Sequence, residues 1–254
     1  WQQRRLDEVE LDYLFCDASF FRCHVGAAAE PVLAVWGITP EGKPVFVGLD
    51  TATGESTAGW HGHLTDLGAR GLGGPLLVIA DGAPGLIAAI GQTMPAALRQ
   101  RCLIHRARNL LSKIPKNAQA EVKADYWAIF EVPETIEPGL DAVAHVQARL
   151  DAFARRWRDA DPAAVRFLLS DREQLTHYLR CPREHWTRVR HSNFIEHTPS
   201  ARPDAGQGHR PAARRDQLHH PGLGRARPRL PRLARVHHDP GRAAAAPGPA
   251  PHPA

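Results

Sequence analysis

The chain of 254 residues is 43% hydrophobic and carries a formal net charge of +5, so it can hold one large or two small globular domains. Its four cysteines form no Cys-x-x-Cys pair, which excludes a dense disulfide framework and favours a reducing, cytosolic compartment. No signal peptide and no apolar run long enough to span a bilayer is present, so we expect neither secretion nor membrane insertion.

Composition changes abruptly near residue 197. After Glu196 the chain contains no Ile, Phe, Tyr, Trp, Met, Cys, Lys or Glu and consists mainly of Arg, Pro, Ala, Gly and His. We therefore predict a folded domain over residues 1–197 and a disordered Arg/Pro/Ala-rich tail over residues 198–254, because the tail has too little apolar area to offset the entropy of ordering it.

The excess positive charge also belongs to the tail. Ten Arg against three Asp follow Glu196, so residues 1–196 carry a charge of about −2. The high isoelectric point is therefore no evidence for a basic nucleic-acid-binding face on the folded part.

Three β-rich segments open the domain. They cover residues 13–25, 31–38 and 44–49, and the short Gly-containing turn between the last two predicts an antiparallel hairpin. An amphipathic helix is predicted over residues 56–69, with Ser56 or Thr57 as its cap. Its apolar face is formed by residues at spacing i, i+4, i+7, namely Trp60, Leu64 and Leu67.

The sequence pattern in the middle of the chain predicts a buried strand between helices. Residues 76–80 are continuously apolar, which favours a strand buried on both faces. Pro84 predicts the start of a helix that runs through Ile90. A short strand over residues 101–105 and a basic helix over residues 106–113 follow.

The remaining part of the domain is predicted to be helical. The pattern indicates helices over residues 119–180 and a further helix opening at residues 193–196. The expected core of this region consists of Tyr126, Trp127, Phe130, Phe153, Trp157, Phe167 and Leu168. The whole order of elements predicts an α/β fold in which helices flank a mixed sheet.

Two aspartates are candidates for chemistry. Asp17 lies in the middle of the first apolar strand, where an ionised carboxylate is costly unless it is paired or bound to a cation. Asp81 follows the buried strand at its carboxyl end, where open α/β sheets bind their ligands. If the two strands are neighbours, the carboxylates converge at one edge and suit Mg²⁺ or Mn²⁺. The alternatives are a turn role for Asp81 and a bulge or edge position for Asp17.

Cys102 and His105 form a second constellation. On a strand, side chains at positions i and i+3 face opposite ways, so a shared metal would require a turn there. No second Cys/His pair has matching spacing, which argues against a closed zinc site. A buried cysteine followed by a histidine that caps the next helix is the other interpretation.

As a whole, residues 1–197 resemble the Mutator-type transposases of bacterial insertion sequences. The matching runs are Phe15-Cys16-Asp17-Ala18, Val78-Ile79-Ala80-Asp81-Gly82-Ala83-Pro84-Gly85-Leu86, Arg101-Cys102-Leu103-Ile104-His105-Arg106-Ala107-Arg108-Asn109 and His191-Ser192-Asn193-Phe194-Ile195-Glu196. The resemblance implies a ribonuclease-H-like fold with a helical insertion at about residues 115–185, before the last acidic residue.

The resemblance also implies a site and a chemistry. Asp17, Asp81 and Glu196 correspond to the acidic catalytic triad that binds Mg²⁺ or Mn²⁺, and Cys102 and His105 to an accompanying pair. The implied activity is metal-dependent cleavage and strand transfer of DNA, acting on transposon ends and target, in a cytoplasmic, nucleoid-associated homo-oligomer without a small-molecule substrate. Contacts to the DNA backbone are expected from Arg106, Arg108 and Lys113, although a solvated basic helix face explains these three residues equally well.

Two departures from the family lower the expected activity. The N-terminal region that binds transposon ends is largely absent, which suggests a fragment, and the sequence diverges at about His197, which suggests a shifted reading frame. Pro199 and Pro203 would limit a helix carrying Glu196 to about one turn. We therefore expect impaired activity. The alternatives are an inactive remnant that only binds DNA or an intact transposase, and an unrelated phosphohydrolase using Asp17 and Asp81.

Overall fold

The computed structural model describes residues 3–22, 29–51 and 56–192. These residues form five strands and seven α-helices, which are β1 Tyr13–Phe21, β2 Glu30–Ile38, β3 Pro44–Thr51, α1 Thr57–Ala69, β4 Leu77–Ala80, α2 Pro84–Thr93, β5 Leu98–Arg101, α3 Leu103–Leu111, α4 Gln119–Ile129, α5 Leu140–Trp157, α6 Pro162–Leu169 and α7 Trp186–Val189. Two short 3-10 helices, His177–Arg180 and Arg183–His185, precede α7. The predicted tail and the predicted helix at residues 193–196 lie outside the described residues.

The strands form one mixed sheet in the order β3-β2-β1-β4-β5. β1 pairs antiparallel with β2, and β2 pairs antiparallel with β3, which confirms the predicted hairpin. β4 lies parallel to β1 on one side and parallel to β5 on the other. The mixed sheet flanked by helices confirms the predicted fold class. The first strand is shorter than predicted, since it ends at Phe21.

The sheet separates two hydrophobic cores. Alternate residues of β1 point to opposite faces, so that Phe15 packs in the core beneath α3 to α7, while Cys16 packs in the core beneath α1 and α2. All four residues of β4 are buried, as expected for a strand with neighbours on both sides and helices on both faces. The second core also contains the predicted apolar face of α1, and Ser56 caps that helix by accepting a hydrogen bond from the amide of Gly59.

The helical half fills the first core. Five of its predicted core residues are buried and two are partly buried; the buried ones are Tyr126, Phe130, Phe153, Trp157 and Leu168, and the partly buried ones are Trp127 and Phe167. This confirms the prediction of a helical region packed on the sheet. Within the described ranges, no helix combines the length and apolar character needed to cross a membrane.

The structure corrects the prediction between residues 98 and 113. The strand predicted at residues 101–105 is instead Leu98–Arg101, and the following helix begins at Leu103 rather than at Arg106. The amide of Cys102 donates to the carbonyl of Ala80 (2.8 Å), and the carbonyl of Cys102 accepts the first helical hydrogen bond. A short apolar run such as Cys102-Leu103-Ile104 fits a strand or a buried helix equally well, and periodicity alone cannot distinguish them.

The outer edge of β5 is covered by the helical half. The amide of Arg101 donates to the carbonyl of Gln174 (2.8 Å), and Nδ1 of His177 lies 2.8 Å from the carbonyl of Arg99. The side chain of Gln100 accepts a hydrogen bond from the amide of Tyr178 at 2.9 Å. The first two of these bonds use backbone groups of Arg99 and Arg101 that would otherwise be open to another strand.

His63 is a buried titratable group in α1. It packs against Gly48 of β3, and its Nδ1 lies 3.9 Å from a carboxylate oxygen of Asp50. Burial lowers the pKa of His63 below its ordinary value of 6.5, although Asp50 acts in the opposite direction. The folded protein therefore holds this imidazole neutral at a pH where the unfolded chain binds a proton.

We predict that His63 makes the protein less stable in mild acid. Since its folded pKa is depressed, its contribution is complete above about 6.5 and is lost as pH falls through the folded pKa. Urea unfolding at about pH 7 and about pH 5.5 should show a smaller loss of unfolding free energy for His63→Gln than for the unchanged chain. The partly exposed His61 on the same helix is the control, and an equal effect of His61→Gln would contradict the prediction.

Candidate active site

The two predicted aspartates lie on neighbouring strands. Asp17 is in the middle of β1 and is only 6% exposed, and Asp81 is the first residue after β4. The last pair in the parallel register of β1 and β4 is Cys16 with Ala80, so the aspartates are the next residue along each strand. Adjacent strands are about 4.8 Å apart. The condition that the sequence left open, that these two strands be neighbours, is met.

Both aspartates belong to the same face of the sheet. Phe15 in β1 and Ile79 in β4 pack in the core beneath α3 to α7, and alternation places Asp17 and Asp81 on that face as well. His105 belongs to α3, which covers this face, and the charges of Asp17 and Asp81 both act on its pKa. The hydrogen bond to Cys102 raises the pKa of His105, burial lowers it, and the charges of Cys102 and both aspartates raise it further.

Backbone amides orient both carboxylates. Oδ1 of Asp81 accepts a hydrogen bond from the amide of Ala83 at 2.9 Å, and Oδ1 of Asp17 accepts one from the amide of Ala18 at 3.1 Å. Asp81 thus has the turn role that was the alternative to metal binding. The two roles are compatible, because an ionised carboxylate has about four lone-pair sites on two oxygens.

Gly82 allows the loop after β4 to pack against a buried arginine. Its φ of +88° lies in the left-handed region that favours glycine, and a Cβ at this position would lie 0.7 Å from Nη1 of Arg101. Nε of Arg101 lies 3.1 Å from a carboxylate oxygen of Asp171. The loop that carries Asp81 therefore packs against the side chain of Arg101, which in turn pairs with Asp171 in the helical half.

Arg106 has a structural role that was not predicted. It is 2% exposed, and its Nη1 lies 3.2 Å from the same oxygen of Asp171. Its guanidinium also donates to the carbonyl of Phe167 and to Oγ of Ser170 and stacks on the Phe167 ring at 3.7 Å. Burial lowers the pKa of Arg106 to about 10, and Asp171 opposes that shift. This side chain cannot reach a phosphate here, so the expectation that Arg106 contacts DNA is corrected.

Arg108 and Lys113 remain available to solvent. Both are exposed, Arg108 in the last turn of α3 and Lys113 just after the helix. Nζ of Lys113 lies 4.9 Å from the centre of the Phe167 ring, the ring on which Arg106 also stacks. Their predicted role in binding DNA stays a prediction.

Cys102 and His105 meet on one turn of helix. Because α3 begins at Leu103, the two residues are three apart across its first turn and lie on the same side. Burial would raise the pKa of the Cys102 thiol, but the hydrogen bond and charge of His105 outweigh burial, and the pKa is below its ordinary value. Among the residues that the structure describes, no cluster of three or more His, Cys, Asp or Glu side chains could hold a metal ion.

Glu196, the third predicted acid, lies outside the described residues. The nearest described part of the chain is His191-Ser192. Ser192 is buried and contacts both Cys102 and His105, a connection that the sequence did not predict. Arg101 and Asp171 were also missed, since nothing in one sequence signals an ion pair across 70 residues. The Asp-Gly pair at residues 81–82, in contrast, predicts a turn from the sequence alone.

The strand order and the paired aspartates define a ribonuclease-H-like α/β domain. Residues 1–201 match the family described as Transposase, Mutator family. This match covers most of the chain, and the chain therefore belongs to the Mutator family of transposases.

Curated relatives agree with this assignment. The chain is 36% identical over 168 residues to the transposase for insertion sequence element IST2 of Acidithiobacillus ferrooxidans, with 66% of this chain and 54% of the relative covered. It is 32% identical over 195 residues to the transposase for IS1081 of Mycobacterium tuberculosis, with 76% and 45% covered. It is 30% identical over 190 residues to the transposase for IS905 of Lactococcus lactis, with 74% and 46% covered. The chain spans about half the length of these relatives.

We predict that Gly82→Ala is more destabilising than a change at an ordinary left-handed glycine. Gly42 has a similar φ of +76°, but an added methyl group would meet nothing within 4 Å there, so Gly42→Ala isolates the backbone cost of about 1–2 kcal/mol. Gly82→Ala adds the displacement of Arg101 and should cost about 3 kcal/mol or more. Urea unfolding of both variants measures the difference, and equal losses would contradict the close approach of Arg101.

Proposed function

We propose that this chain is the catalytic portion of a DNA transposase that cleaves phosphodiester bonds and transfers strands of an insertion sequence in a metal-dependent reaction. The observation that carries the proposal is the pair Asp17 and Asp81, which occupy adjacent positions immediately after the last register pair of the parallel strands β1 and β4. Membership of the Mutator family supports the same conclusion, as do relatives whose names describe transposases for insertion sequence elements.

The donor set fits Mg²⁺ or Mn²⁺. Mg²⁺ is usually bound through one or two carboxylates, together with waters and substrate phosphates, and Asp17 and Asp81 supply two carboxylates at adjacent positions. We propose Glu196 as the third ligand, as the resemblance implies. When bound, the metal would neutralise the charge that develops on the phosphate and lower the pKa of a water.

Backbone amides of the chain hold both carboxylates in place before any substrate binds. The amides of Ala18 and Ala83 hold one oxygen of each carboxylate, which limits the reorganisation needed when substrate binds. Asp17 is almost completely buried, so solvent ions would screen its attraction to a bound cation only weakly. Gly82 and Arg101 hold the loop of Asp81 against the helical half.

DNA is the proposed substrate, both as transposon ends and as target. The exposed cations Arg108 and Lys113 follow the helix turn that carries His105, and their exposure supports a role in contacting DNA phosphates. We further propose action as a homo-oligomer in association with the nucleoid, as the resemblance to the family implies.

We predict that Asp17→Asn and Asp81→Asn each abolish strand cleavage and transfer. The full chain is incubated with duplexes taken from the DNA that flanks its gene, with Mg²⁺ or Mn²⁺, and products are separated on a denaturing gel. Loss of a metal ligand should reduce the rate at least about 100-fold, equivalent to about 2.7 kcal/mol. Asp66→Asn, at an exposed position of α1, is the control and should retain the rate.

Other outcomes of this assay separate the alternatives. DNA binding without product under either metal would contradict catalysis and identify the chain as a remnant. Hydrolysis of a small phosphate ester in place of DNA would identify a phosphohydrolase. Product that survives Asp81→Asn would show that the aspartate pair is not the active site.

We predict that Arg108→Ala and Lys113→Ala each weaken DNA binding to a similar extent on unrelated sequences. If each cation neutralises one phosphate, the slope of log Kd against log salt should decrease by about one for each variant. Arg5→Ala changes the net charge equally at an exposed position next to the core beneath α1 and α2, and it should leave the slope unchanged. Fluorescence anisotropy at several salt concentrations provides the measurement, and a slope that stays constant for Arg108→Ala would exclude that contact.

A further inference from the structure

Three arginines of β5 and α3 surround one carboxylate. Nε of Arg101 and Nη1 of Arg106 lie 3.1 and 3.2 Å from the same oxygen of Asp171. Arg99 lies two residues before Arg101 on β5 and also interacts with the charge of Asp171. In the described part of the chain, Asp171 is the only carboxylate whose charge acts on the pKa of Arg99 or of Arg106. The cluster therefore carries three positive charges against one negative charge.

Arg106 is the best paired of the three arginines. Besides its contact with Asp171, its guanidinium donates to the carbonyl of Phe167 and stacks on the ring of the same residue. Arg99 and Arg101 differ, because Nη1 of each is buried and has no hydrogen-bond partner among the residues that the structure describes. Buried polar groups nearly always have such a partner. Both side chains therefore keep donors that a bound acceptor can use.

Arg99 and Arg101 form a pair that is open to solvent at one end. They lie on the same face of β5, because side chains two residues apart on a strand point the same way. Burial lowers the pKa of Arg99, Asp171 opposes that shift, and the positive charge of Arg101 adds to it, so the two guanidiniums are close enough to interact. Arg101 is only 4% exposed, whereas Arg99 is partly exposed. A small ligand can therefore approach from the side of Arg99.

We propose that Arg99 and Arg101 bind a phosphate group at the end of β5. The N–H groups of a guanidinium match the oxygens of a phosphate in both geometry and charge. A phosphate supplies the negative charge that the cluster lacks, and its oxygens can accept hydrogen bonds from both side chains at once. No metal takes part in this binding, so the inference does not depend on the proposed chemistry of the aspartates.

Two sources can supply the phosphate group. Nη1 of Arg101 lies against Gly82, the residue after Asp81, so a backbone phosphate of DNA at the candidate active site is one source. Inorganic phosphate is the other, and its small size suits a site in which Arg101 is almost completely buried. The contacts between guanidinium and phosphate are the same in both cases. The source decides whether the site binds substrate or stabilises the junction with the helical half.

Equilibrium dialysis against radiolabelled inorganic phosphate tests the site directly. The full chain is dialysed at constant ionic strength without divalent metal, and saturable binding is expected. Arg99→Gln should weaken this binding about 10-fold or more, as expected for the loss of a hydrogen bond between charged groups. Arg70→Gln is the matched control, because Arg70 pairs with its own carboxylate at Asp66. This control should bind phosphate as tightly as the unchanged chain.

A DNA-binding measurement distinguishes the two sources. Fluorescence anisotropy of a labelled duplex is recorded for the unchanged chain and for Arg99→Gln, with inorganic phosphate or chloride at the same ionic strength. If the site binds a backbone phosphate, Arg99→Gln should weaken DNA binding about 10-fold, and inorganic phosphate should displace the duplex. If the site binds inorganic phosphate, DNA affinity should be equal in both chains, and phosphate should stay bound when duplex is added. If Arg99→Gln changes the binding of neither ligand, the proposal is wrong.

Arg99→Lys is the second variant in case Arg99→Gln fails to fold. Lysine keeps the charge but replaces the planar fork of donors with a single ammonium, so phosphate binding should be weaker than in the unchanged chain. Equal affinity in Arg99→Lys would contradict the guanidinium contacts.

Competition on the unchanged chain needs no variant. Sulfate has the same tetrahedral shape as phosphate and should displace it, whereas chloride at the same ionic strength should not. Equal displacement by chloride would show that the chain binds phosphate only as a counter-ion, and it would overturn the site.

Discussion

The parallel pairing of β1 with β4 is the contact on which the site depends. β4 has a strand on each side and a hydrophobic core on each face, so a shift of its register would move apolar side chains to the wrong core. The same pairing brings Asp17 and Asp81 to adjacent positions. Two carboxylates this close repel each other, and one of them is buried. In the proposed function, a cation bound by both carboxylates would offset this repulsion.

The helical half completes this edge of the sheet rather than forming a separate lobe. Its residues 171–192 contact β5 and α3 through backbone bonds, through the side chain of Gln100 and through Asp171, which lies against both Arg101 and Arg106. Breaking one partner of such a buried ion pair leaves an uncompensated charge and is strongly destabilising. The geometry around Asp81 therefore depends on residues that are distant in sequence and belong to no recognisable motif.

Sequence reasoning succeeded where the signal was local. The hairpin, α1 with its cap and β4 follow from alternation, helical spacing and a continuous apolar run, and the neighbouring strands then locate Asp17 and Asp81. It failed between residues 98 and 113, because a short apolar run does not distinguish the end of a strand from the start of a helix. It misassigned Arg106, because burial of that cation depends on Asp171. Ser192 could not have been linked to Cys102 without the fold.

The covered edge of β5 limits how copies of this domain can assemble. Residues 174–178 already bind the backbone and side chains along that strand, so a neighbouring subunit cannot lengthen the sheet there. Within the described part of the chain, strand-to-strand joining is left to the far side of the sheet, at β3. That side is separated from the aspartates by β2, so two copies joined there would keep their carboxylate pairs apart.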